Sequence, residues 1–319
     1  HFGQSFFCSY FAANMGNTKK YLIVLTGPTG IGKTDTGIKI ALHFNTEIIS
    51  ADSRQIYKEL KIGTAVPDEN ELKQVPHHFI QTHSIEEYYN ASKYESQALE
   101  RIAQVFERNN MVLLVGGSML YIDAVCKGID VMPDADPEIR ASLKKQFETE
   151  GMENLRLQLK KLDPEYYKTV DLKNPNRIIH ALEICIMTGK PFSSFRSNTK
   201  KERPFEIIKI GLNGEREILH QRINRRVDQM ISDGLEQEAQ MLYPKRHLNS
   251  LNTVGYREWF DYFDGKIPKE KAIELIKRNS RRYARKQITW FRNDSEMNWF
   301  EPGETNRIIS FIEQQIWVR

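Results

Sequence analysis

The stretch Gly27–Thr34 reads GPTGIGKT and directly follows the apolar run YLIVLT at Tyr21–Thr26. Glycine, four residues, glycine, lysine, then serine or threonine is the pattern of a loop whose backbone N–H groups surround an anion. Lys33 adds a full positive charge, and the Thr34 hydroxyl can reach Mg²⁺ or a phosphate oxygen. The apolar run predicts a strand and Asp35–Phe44 predicts a helix, which is the context such a loop requires. The stretch therefore predicts a site for a chain of phosphates; the alternative is a strand-to-helix turn that binds nothing.

Strand-like runs alternate with helical patterns along most of the chain, which is typical of a parallel sheet covered by helices. The sequence thus predicts an α/β fold of the P-loop NTPase type, with further strands at Glu47–Ser50, Met111–Gly117, Phe205–Leu212 and Met297–Phe300. Between Gly128 and about Lys200 the pattern is helical and polar. We therefore expect a catalytic core, 21–128 and 201–319, interrupted by a helical subdomain, 129–200. Residues 1–20 are interpreted as an N-terminal extension outside the fold.

Composition narrows the class of protein. The chain has 319 residues, of which 28% are charged and 40% hydrophobic, as in globular proteins. No apolar run approaches the roughly 18 residues that a membrane-spanning helix needs. Cys8, Cys126 and Cys185 stand far apart, which favours a reducing compartment over a disulfide framework or a zinc ribbon. The net charge of +4 is only a weak indication of a nucleic-acid partner. We expect a cytoplasmic protein with no membrane segment.

Asp52 follows the second predicted strand. In open α/β sheets ligands bind beyond the carboxyl ends of the strands, so this side chain is expected near the phosphate loop. Its carboxylate could bind Mg²⁺, accept a proton or cap a helix at the start of the polar stretch Asp52–Pro67. The third strand ends in Gly116-Gly117, where a hydrolytic motor would carry a carboxylate for Mg²⁺ and the attacking water. A motor ATPase is therefore disfavoured.

The stretch Lys271–Arg292 has eight lysines and arginines against one glutamate. As a helix, it predicts a basic face with Arg278, Arg281, Arg282, Arg285, Thr289 and Arg292. The opposite, apolar face carries Ile273, Ile276, Ala284, Ile288 and Phe291. Such a stripe suits a phosphate backbone, and the alternative is a solvated charged face. A second basic cluster, Arg222, Arg225 and Arg226, lies on the helix expected after the fourth strand.

Seven motifs occur in order along the chain: GPTGIGKT (Gly27–Thr34), SADSRQIYKELKIGTAVP (Ser50–Pro67), PHHFI (Pro76–Ile80), VGGSMLYI (Val115–Ile122), NRIIHALE (Asn176–Glu183), NTVGYRE (Asn252–Glu258) and RKQITWFR (Arg285–Arg292). Together they resemble the bacterial tRNA dimethylallyltransferases, from about Tyr21 to Arg292. Enzymes of this family attach a dimethylallyl group to the N6 amine of the adenine immediately 3′ of the anticodon, position 37. The resemblance implies that the loop holds the diphosphate of dimethylallyl diphosphate and need not hold a nucleoside triphosphate.

The resemblance also implies a role for individual residues. Diphosphate binding falls to Gly27, Pro28, Thr29, Gly30, Ile31, Gly32, Lys33 and Thr34, with Thr34 also a ligand of the cofactor Mg²⁺. The catalytic residues are Asp52 as the general base, and Lys33, Thr34 and Arg226 around the leaving diphosphate. The expected partners are dimethylallyl diphosphate and the tRNA anticodon stem-loop, with the target base extruded, and the protein is expected to be a monomer. The implied tRNA contacts are Asp52, Ser53, Arg54, Gln55, Ser118, Arg140, Asn176, Arg177, His180, Asn252, Thr253, Val254, Gly255, Tyr256, Arg257, Arg285, Lys286, Gln287, Ile288, Thr289, Trp290, Phe291 and Arg292.

Two positions depart from the family pattern. His180 stands where many members have arginine, and it would be mostly neutral near pH 7, which weakens the case for a phosphate contact there. Ser118 replaces threonine and keeps the hydroxyl. The His77-His78 pair matches the family but is interpreted as structural.

Two other functions share the phosphate loop. An adenylate isopentenyltransferase, which modifies a free nucleotide, has less need of the helical subdomain and the basic helix. A P-loop kinase or an RNA-binding NTPase is the third candidate.

Overall fold

The computed structural model describes residues 19–130, 132–133, 136–196 and 200–317. The chain divides into two compact units, a core unit of 1–127 and 202–319 and a helical unit of 128–201. Each division falls one residue from the boundary expected from sequence. Most of the expected N-terminal extension, residues 1–18, lies outside the described residues.

The core unit contains a six-stranded, fully parallel sheet with the order β3-β2-β4-β1-β5-β6. The strands are β1 Tyr21–Thr26, β2 Ile48–Ala51, β3 His77–His78, β4 Met111–Gly116, β5 Glu206–Leu212 and β6 Met297–Phe300. The central β1 is buried along its whole length, as expected for an apolar strand with helices on both faces. The predicted α/β fold is confirmed. The edge strand β3 was not predicted.

Nine helices are described in the core unit: α1 Lys33–His43, α2 Glu69–Gln74, α3 Ala91–Phe106, α4 Met119–Lys127, α9 Arg216–Ser232, α10 Leu235–Leu242, α11 Arg257–Phe263, α12 Lys269–Arg292 and α13 Thr305–Trp317. Alternate residues of β1 face opposite sides of the sheet. Ile23 and Leu25 join an apolar cluster that includes Ile38 of α1. Leu22 and Val24 join another. The sheet is therefore packed on both faces, and its strand ends are left to form a site.

Lys20 belongs to this core, although it was assigned to the extension. Its ammonium group donates to the carbonyl of Phe106 over 2.6 Å and to Oδ1 of Asn110 over 2.7 Å. Its carbonyl accepts from the N–H of Glu206, directly before the buried part of β5. No helix in the described part of the chain is long and apolar enough to cross a bilayer.

The helical unit has its own apolar core. Its helices are α5 Pro137–Glu150, α6 Met152–Leu162, α7 Pro164–Thr169 and α8 Pro175–Thr188. Leu155 and Leu159 of α6 pack with Ile178 and Leu182 of α8. The break between α6 and α7 is formed by buried Asp163, whose Oδ1 accepts from the N–H of Tyr166 over 2.9 Å and so caps α7.

Candidate active site

The predicted phosphate loop connects the end of β1 to the start of α1. Gly27 has a φ of 147° and a Cβ there would lie 2.6 Å from the carbonyl oxygen of Leu212, so the backbone passes too close for a side chain. Gly32, with a φ of 103°, begins α1 in a left-handed conformation. The Lys33 ammonium donates to the carbonyls of Gly27 and Pro28 over 3.0 and 2.9 Å. In this state the lysine holds the loop closed around its own backbone.

A cleft of about 530 Å³ opens in front of this loop, and we call it the loop cleft. Its charged lining consists of Lys33, Arg222, Arg225, Arg226 and Asp52. The three arginines come from α9, and Nη1 of Arg222 also donates to the carbonyl of Ile31 over 3.4 Å. Four cations against one carboxylate make this cleft suited to a multiply charged anion.

Burial changes the acid–base behaviour of two of these cations. It lowers the pKa of Lys33 to about 8, with a further lowering from nearby Arg226 and a partial offset from Asp52. It also lowers the pKa of Arg226, again partly offset by Asp52. The protein therefore holds these positive charges at a cost that an incoming anion would relieve.

The floor of the loop cleft is made of backbone. In the sheet, β4 lies between β1, which leads into the loop, and β2, which leads to Asp52. It ends at Gly116 and is followed by Gly117, and both glycines line the cleft. A Cβ on Gly116 would lie 2.2 Å from the carbonyl oxygen of Ala51. The missing Cβ of Gly116 therefore lets β4 lie close against the end of β2, directly before Asp52.

Asp52 follows β2, and its two carboxylate oxygens have different surroundings. Its Oδ1 accepts from the backbone N–H groups of Arg54 and Gln55 over 2.9 and 3.2 Å, which closes a turn rather than capping a helix. Within the described chain, Oδ2 makes no hydrogen bond. One oxygen thus orients the carboxylate, and the other is available to a ligand.

A second cleft, of about 390 Å³, adjoins the first, and we call it the side cleft. It is lined by Asn252–Gly255, Arg257, Arg54 and parts of α9 and α12. Thr29, Asp52, Thr64, Arg226 and Tyr283 line both clefts. Asp52 therefore lies where a group in the loop cleft would meet a group in the side cleft.

Buried acids hold the walls of the side cleft. Glu238 of α10, only 7% exposed, accepts from the N–H groups of Lys61, Ile62 and Gly63 over 3.1, 2.8 and 3.0 Å. Glu258 of α11 accepts from the N–H of Gly255 over 2.8 Å and from Asn279 over 2.7 Å. The backbone at 61–63 and at Gly255 is therefore held in place by carboxylates that sequence reasoning did not single out.

The residues expected to contact tRNA near Asp52 are divided between surface and framework. Asn252, Thr253, Val254, Gly255 and Arg257 line the side cleft. Tyr256 is buried and bonded to Glu238 over 2.6 Å, so its side chain belongs to the core. Ser118 is also buried, and its Oγ accepts from the N–H of Ser53 over 2.8 Å. The Gln55 amide donates to the carbonyls of Thr64 and Ala65.

The basic helix α12 presents a narrower charged face than predicted. Arg282, Arg285, Lys286, Thr289, Trp290 and Arg292 are exposed. Arg281 instead donates to Oδ1 of Asn224 over 2.5 Å, and Arg278 has a buried Nε. Gln287 and Phe291 are buried and Ile288 is half-buried, so the structure brings none of these three onto the exposed basic face.

In the helical unit, Asn176 and Arg177 are exposed in the first turn of α8. Arg140 and His180 both face Glu183, a fully buried carboxylate. Arg140 donates to its Oε2 over 2.8 Å, and Nδ1 of His180 lies 3.5 Å from the same oxygen. Burial lowers the pKa of His180, despite the nearby acid. The histidine is therefore neutral near pH 7 and supplies no charge.

The His77-His78 pair forms the short edge strand β3. Nε2 of His78 pairs with Oε2 of Glu47 over 2.6 Å, and Nδ1 of His77 bonds to the carbonyl of Val75 over 2.7 Å. These contacts fit the structural interpretation, although His77 also lines the loop cleft. Among the described residues no group of three or more histidines, cysteines and acids could hold a metal ion.

The family model of the IPP transferases matches residues 55–294. The chain belongs to this family. A tRNA dimethylallyltransferase 1 from Bacteroides fragilis is 56% identical over 299 residues, which cover 94% of this chain and 99% of that protein. A tRNA dimethylallyltransferase 1 from Phocaeicola vulgatus is 56% identical over 291 residues, 91% of this chain and 97% of that one.

Solved structures of IPP transferases share the fold. The full-length tRNA isopentenylpyrophosphate transferase from Bacillus halodurans superposes with a TM-score of 0.70 at 37% identity, covering 93% of this chain and 97% of its own. A eukaryotic dimethylallyltransferase acting on tRNA gives a TM-score of 0.77 at 25% identity, covering 94% of this chain and 80% of its own. The resemblance drawn from the seven motifs is thereby confirmed.

Sequence reasoning missed two framework residues of this site, Glu238 and Glu258, and assigned Tyr283 no place in the clefts. Tyr283 lines both clefts. Burial raises its pKa to about 12, so it stays protonated. Nothing in the sequences of α10 and α11 indicates that Glu238 and Glu258 are buried. Tyr283, by contrast, could have been found from its position between the two predicted faces of α12.

Proposed function

We propose that the chain transfers a dimethylallyl group from dimethylallyl diphosphate to the N6 amine of adenine 37 in tRNA. The observation that carries the proposal is the meeting of the two clefts at Asp52, on a chain that belongs to the IPP transferase family. The diphosphate would occupy the loop cleft and the adenine the side cleft. The side cleft is in the size range of about 300–1,000 Å³ that small ligands occupy.

The reaction forms one bond and breaks one. The N6 amine attacks the first carbon of the dimethylallyl group, and the bond from that carbon to the diphosphate oxygen breaks with its electron pair on the oxygen. The amine loses a proton, and Oδ2 of Asp52 accepts it. Because Oδ1 is held by two backbone N–H groups, the other oxygen remains available on a residue that lines both clefts.

Charge on the leaving diphosphate is stabilised by the loop cleft. Backbone N–H groups of Gly30–Thr34, the Lys33 ammonium and the Arg226 guanidinium supply the positive surround. For the lysine this requires a change, because two of its three donors now bond to the carbonyls of Gly27 and Pro28. Binding of the anion also raises the lowered pKa of Lys33, which keeps that group charged during the reaction.

Mg²⁺ fits this site as an ion that binds together with the diphosphate. Mg²⁺ commonly takes one or two protein ligands and completes its shell with phosphate oxygens and waters. Thr34 lines the loop cleft and its hydroxyl would hold the ion, and Asp52 is the carboxylate among the lining residues. The bound ion would neutralise charge on the diphosphate.

tRNA recognition is assigned to three surfaces. The exposed residues of α12, Arg282, Arg285, Lys286, Thr289 and Arg292, contact phosphates. The extruded base is surrounded by Asn252–Gly255, Arg257 and Arg54, because single-stranded loops are read by bases taken out of the stack. Asn176, Arg177 and Arg140 of the helical unit add further contacts. The protein acts in the cytoplasm as a monomer.

One assay tests the reaction against its alternatives. Labelled dimethylallyl diphosphate is offered with an anticodon stem-loop, with the same stem-loop carrying guanine at position 37, or with AMP, and ATP hydrolysis is followed in parallel. We expect label only on the stem-loop with adenine 37. Transfer to AMP would favour an adenylate isopentenyltransferase, and RNA-stimulated ATP hydrolysis without transfer would favour an NTPase.

A further inference from the structure

Gln287 is a buried polar side chain in the middle of the most basic stretch of the chain. It is 2% exposed, whereas its neighbour Lys286 and nearby Thr289 are exposed. Its Oε1 accepts from the backbone N–H of Thr29 over 2.8 Å, and its Nε2 donates to the carbonyl of Gly117 over 2.9 Å. Both ends of the amide are thus bound inside the protein, away from the face that would meet RNA.

The two bonds join the phosphate loop to the floor of the loop cleft. Thr29 lies near the start of the loop, and Gly117 follows β4. A Cβ on Gly117 would lie 2.2 Å from Nε2 of Gln287, so the glycine is needed for the amide to reach its place. The space beyond β4, where a hydrolytic motor would carry a carboxylate, is occupied by the end of a side chain from α12.

This arrangement has a consequence for anion binding. Loop N–H groups hold a diphosphate well only if the loop is ordered before the ligand arrives, because ordering on binding subtracts from affinity. Without Gln287 the Thr29 N–H and the Gly117 carbonyl would each lose a buried partner. The start of the loop would then have to find new partners or move.

We propose that Gln287 is a positioning residue for the donor: it fixes the phosphate loop through Thr29 and does not contact tRNA. The inference rests on the proposed function, since it concerns the diphosphate site of that reaction. The two faces of α12 then have different roles. The outer face binds RNA, and the inner face, through Gln287, holds the loop.

The test uses the full chain with Gln287→Met, which has a similar volume and neither hydrogen bond. Affinities for dimethylallyl diphosphate and for inorganic diphosphate are measured by calorimetry without RNA, and affinity for an anticodon stem-loop by fluorescence anisotropy across a salt series. We expect both diphosphates to bind about tenfold more weakly, the effect of losing about 1.4 kcal/mol. RNA affinity and its salt dependence should stay as in the wild type. The matched variant Lys286→Met, one residue away, should give the opposite pattern.

A second variant covers the case in which Gln287→Met does not fold. Gln287→Glu keeps an acceptor for the Thr29 N–H but can donate to Gly117 only when its carboxyl is protonated. Its diphosphate affinity, as a ratio to the wild type at each pH, should therefore recover as the pH falls. A ratio that does not change with pH would contradict a role for Gln287 at the diphosphate site.

The outcomes separate this inference from the proposed function. Failure of the wild type to bind dimethylallyl diphosphate would overturn both. A wild type that binds and transfers, together with a Gln287→Met variant that keeps its diphosphate affinity or loses RNA affinity, would overturn the role of Gln287 alone.

Discussion

The hydroxyl of Tyr256 donates to the buried carboxylate of Glu238 over 2.6 Å. The same carboxylate holds the backbone at Lys61, Ile62 and Gly63, so one bond ties the segment after Asp52 to the NTVGYRE segment. The contact is close, because a Cβ on Gly63 would lie 2.6 Å from the Tyr256 ring. Two parts of the chain that line the side cleft are thus held by one acid from α10.

From this bond we predict that a substitution of Tyr256 changes the stability of the protein and not the chemistry of the reaction. Tyr256→Phe removes one hydrogen bond to a buried charge and should lower the free energy of unfolding by about 1.5–3 kcal/mol. Urea unfolding measures the change. The control is Tyr243→Phe, which loses a solvent-facing bond to Asp264 and should unfold almost as the wild type does. Equal effects in the two variants would contradict an anchoring role for Tyr256.

The second prediction separates the two functions of Asp52. Asp52→Asn keeps an oxygen for the N–H groups of Arg54 and Gln55 but removes the basicity of the other atom. Single-turnover transfer to tRNA should slow by roughly 10²–10⁴-fold, while the melting temperature stays close to that of the wild type.

Asp52→Ala is the matched variant, since it also removes the turn. It should show the same loss of rate with an additional loss of about 1 kcal/mol of stability, the usual effect of losing such a side-chain acceptor. A transfer rate for Asp52→Asn within a few-fold of the wild type would rule out Asp52 as the base.

Much of the fold could be read from the sequence because the decisive signals are local. The run YLIVLT is apolar throughout, as a central parallel strand requires, and GPTGIGKT combines glycines with a cation at a fixed spacing. By contrast, β3 consists of His77 and His78 only, and two polar residues carry no strand signal. Its pairing with β2 depends on Ile48 and Ile49, which are distant in sequence.

The site was predicted in part for the same reason. Lys33, Asp52 and Arg226 lie in one cleft as expected, since each follows or faces the carboxyl end of a strand. Gln287 was expected to contact tRNA only because the resemblance implies such a role for the motif RKQITWFR. Its partners, Thr29 and Gly117, are 258 and 170 residues away, and helical periodicity cannot reveal such contacts.

The third prediction concerns the pH dependence of donor binding. Lys33 has its pKa lowered to about 8 by burial, and a bound diphosphate should raise it. Donor affinity should therefore fall as the pH rises above 8, where the free protein loses the lysine proton and the complex keeps it. Calorimetry in buffers of different ionisation enthalpy should show proton uptake on binding in this range.

Lys33→Arg is the control, because arginine stays charged and leaves only the titration of the ligand itself. The pH dependence of folding stability that Lys33 contributes has the opposite sign to that of a lysine in an ion pair. The unfolded chain binds the Lys33 proton more tightly between pH 8 and 10.5, so this group contributes stability that increases across that window. A wild-type affinity profile that matches Lys33→Arg would contradict a lowered pKa.

The last prediction tests the exposed face of α12. Arg285 and Arg292 are exposed, unlike Arg281, which is bonded to Asn224, so both can meet phosphates. Replacing both by alanine should weaken binding of an anticodon stem-loop and reduce the slope of log K against log salt by about 1.4–1.8, the loss of two phosphate contacts. Affinity for dimethylallyl diphosphate should not change, because neither side chain lines the loop cleft.

Lys39→Ala with Lys73→Ala removes the same charge from surface ion pairs on α1 and α2 and should leave the slope as it is. If the two double variants change the slope equally, the effect belongs to net charge, and α12 would carry only a solvated basic face.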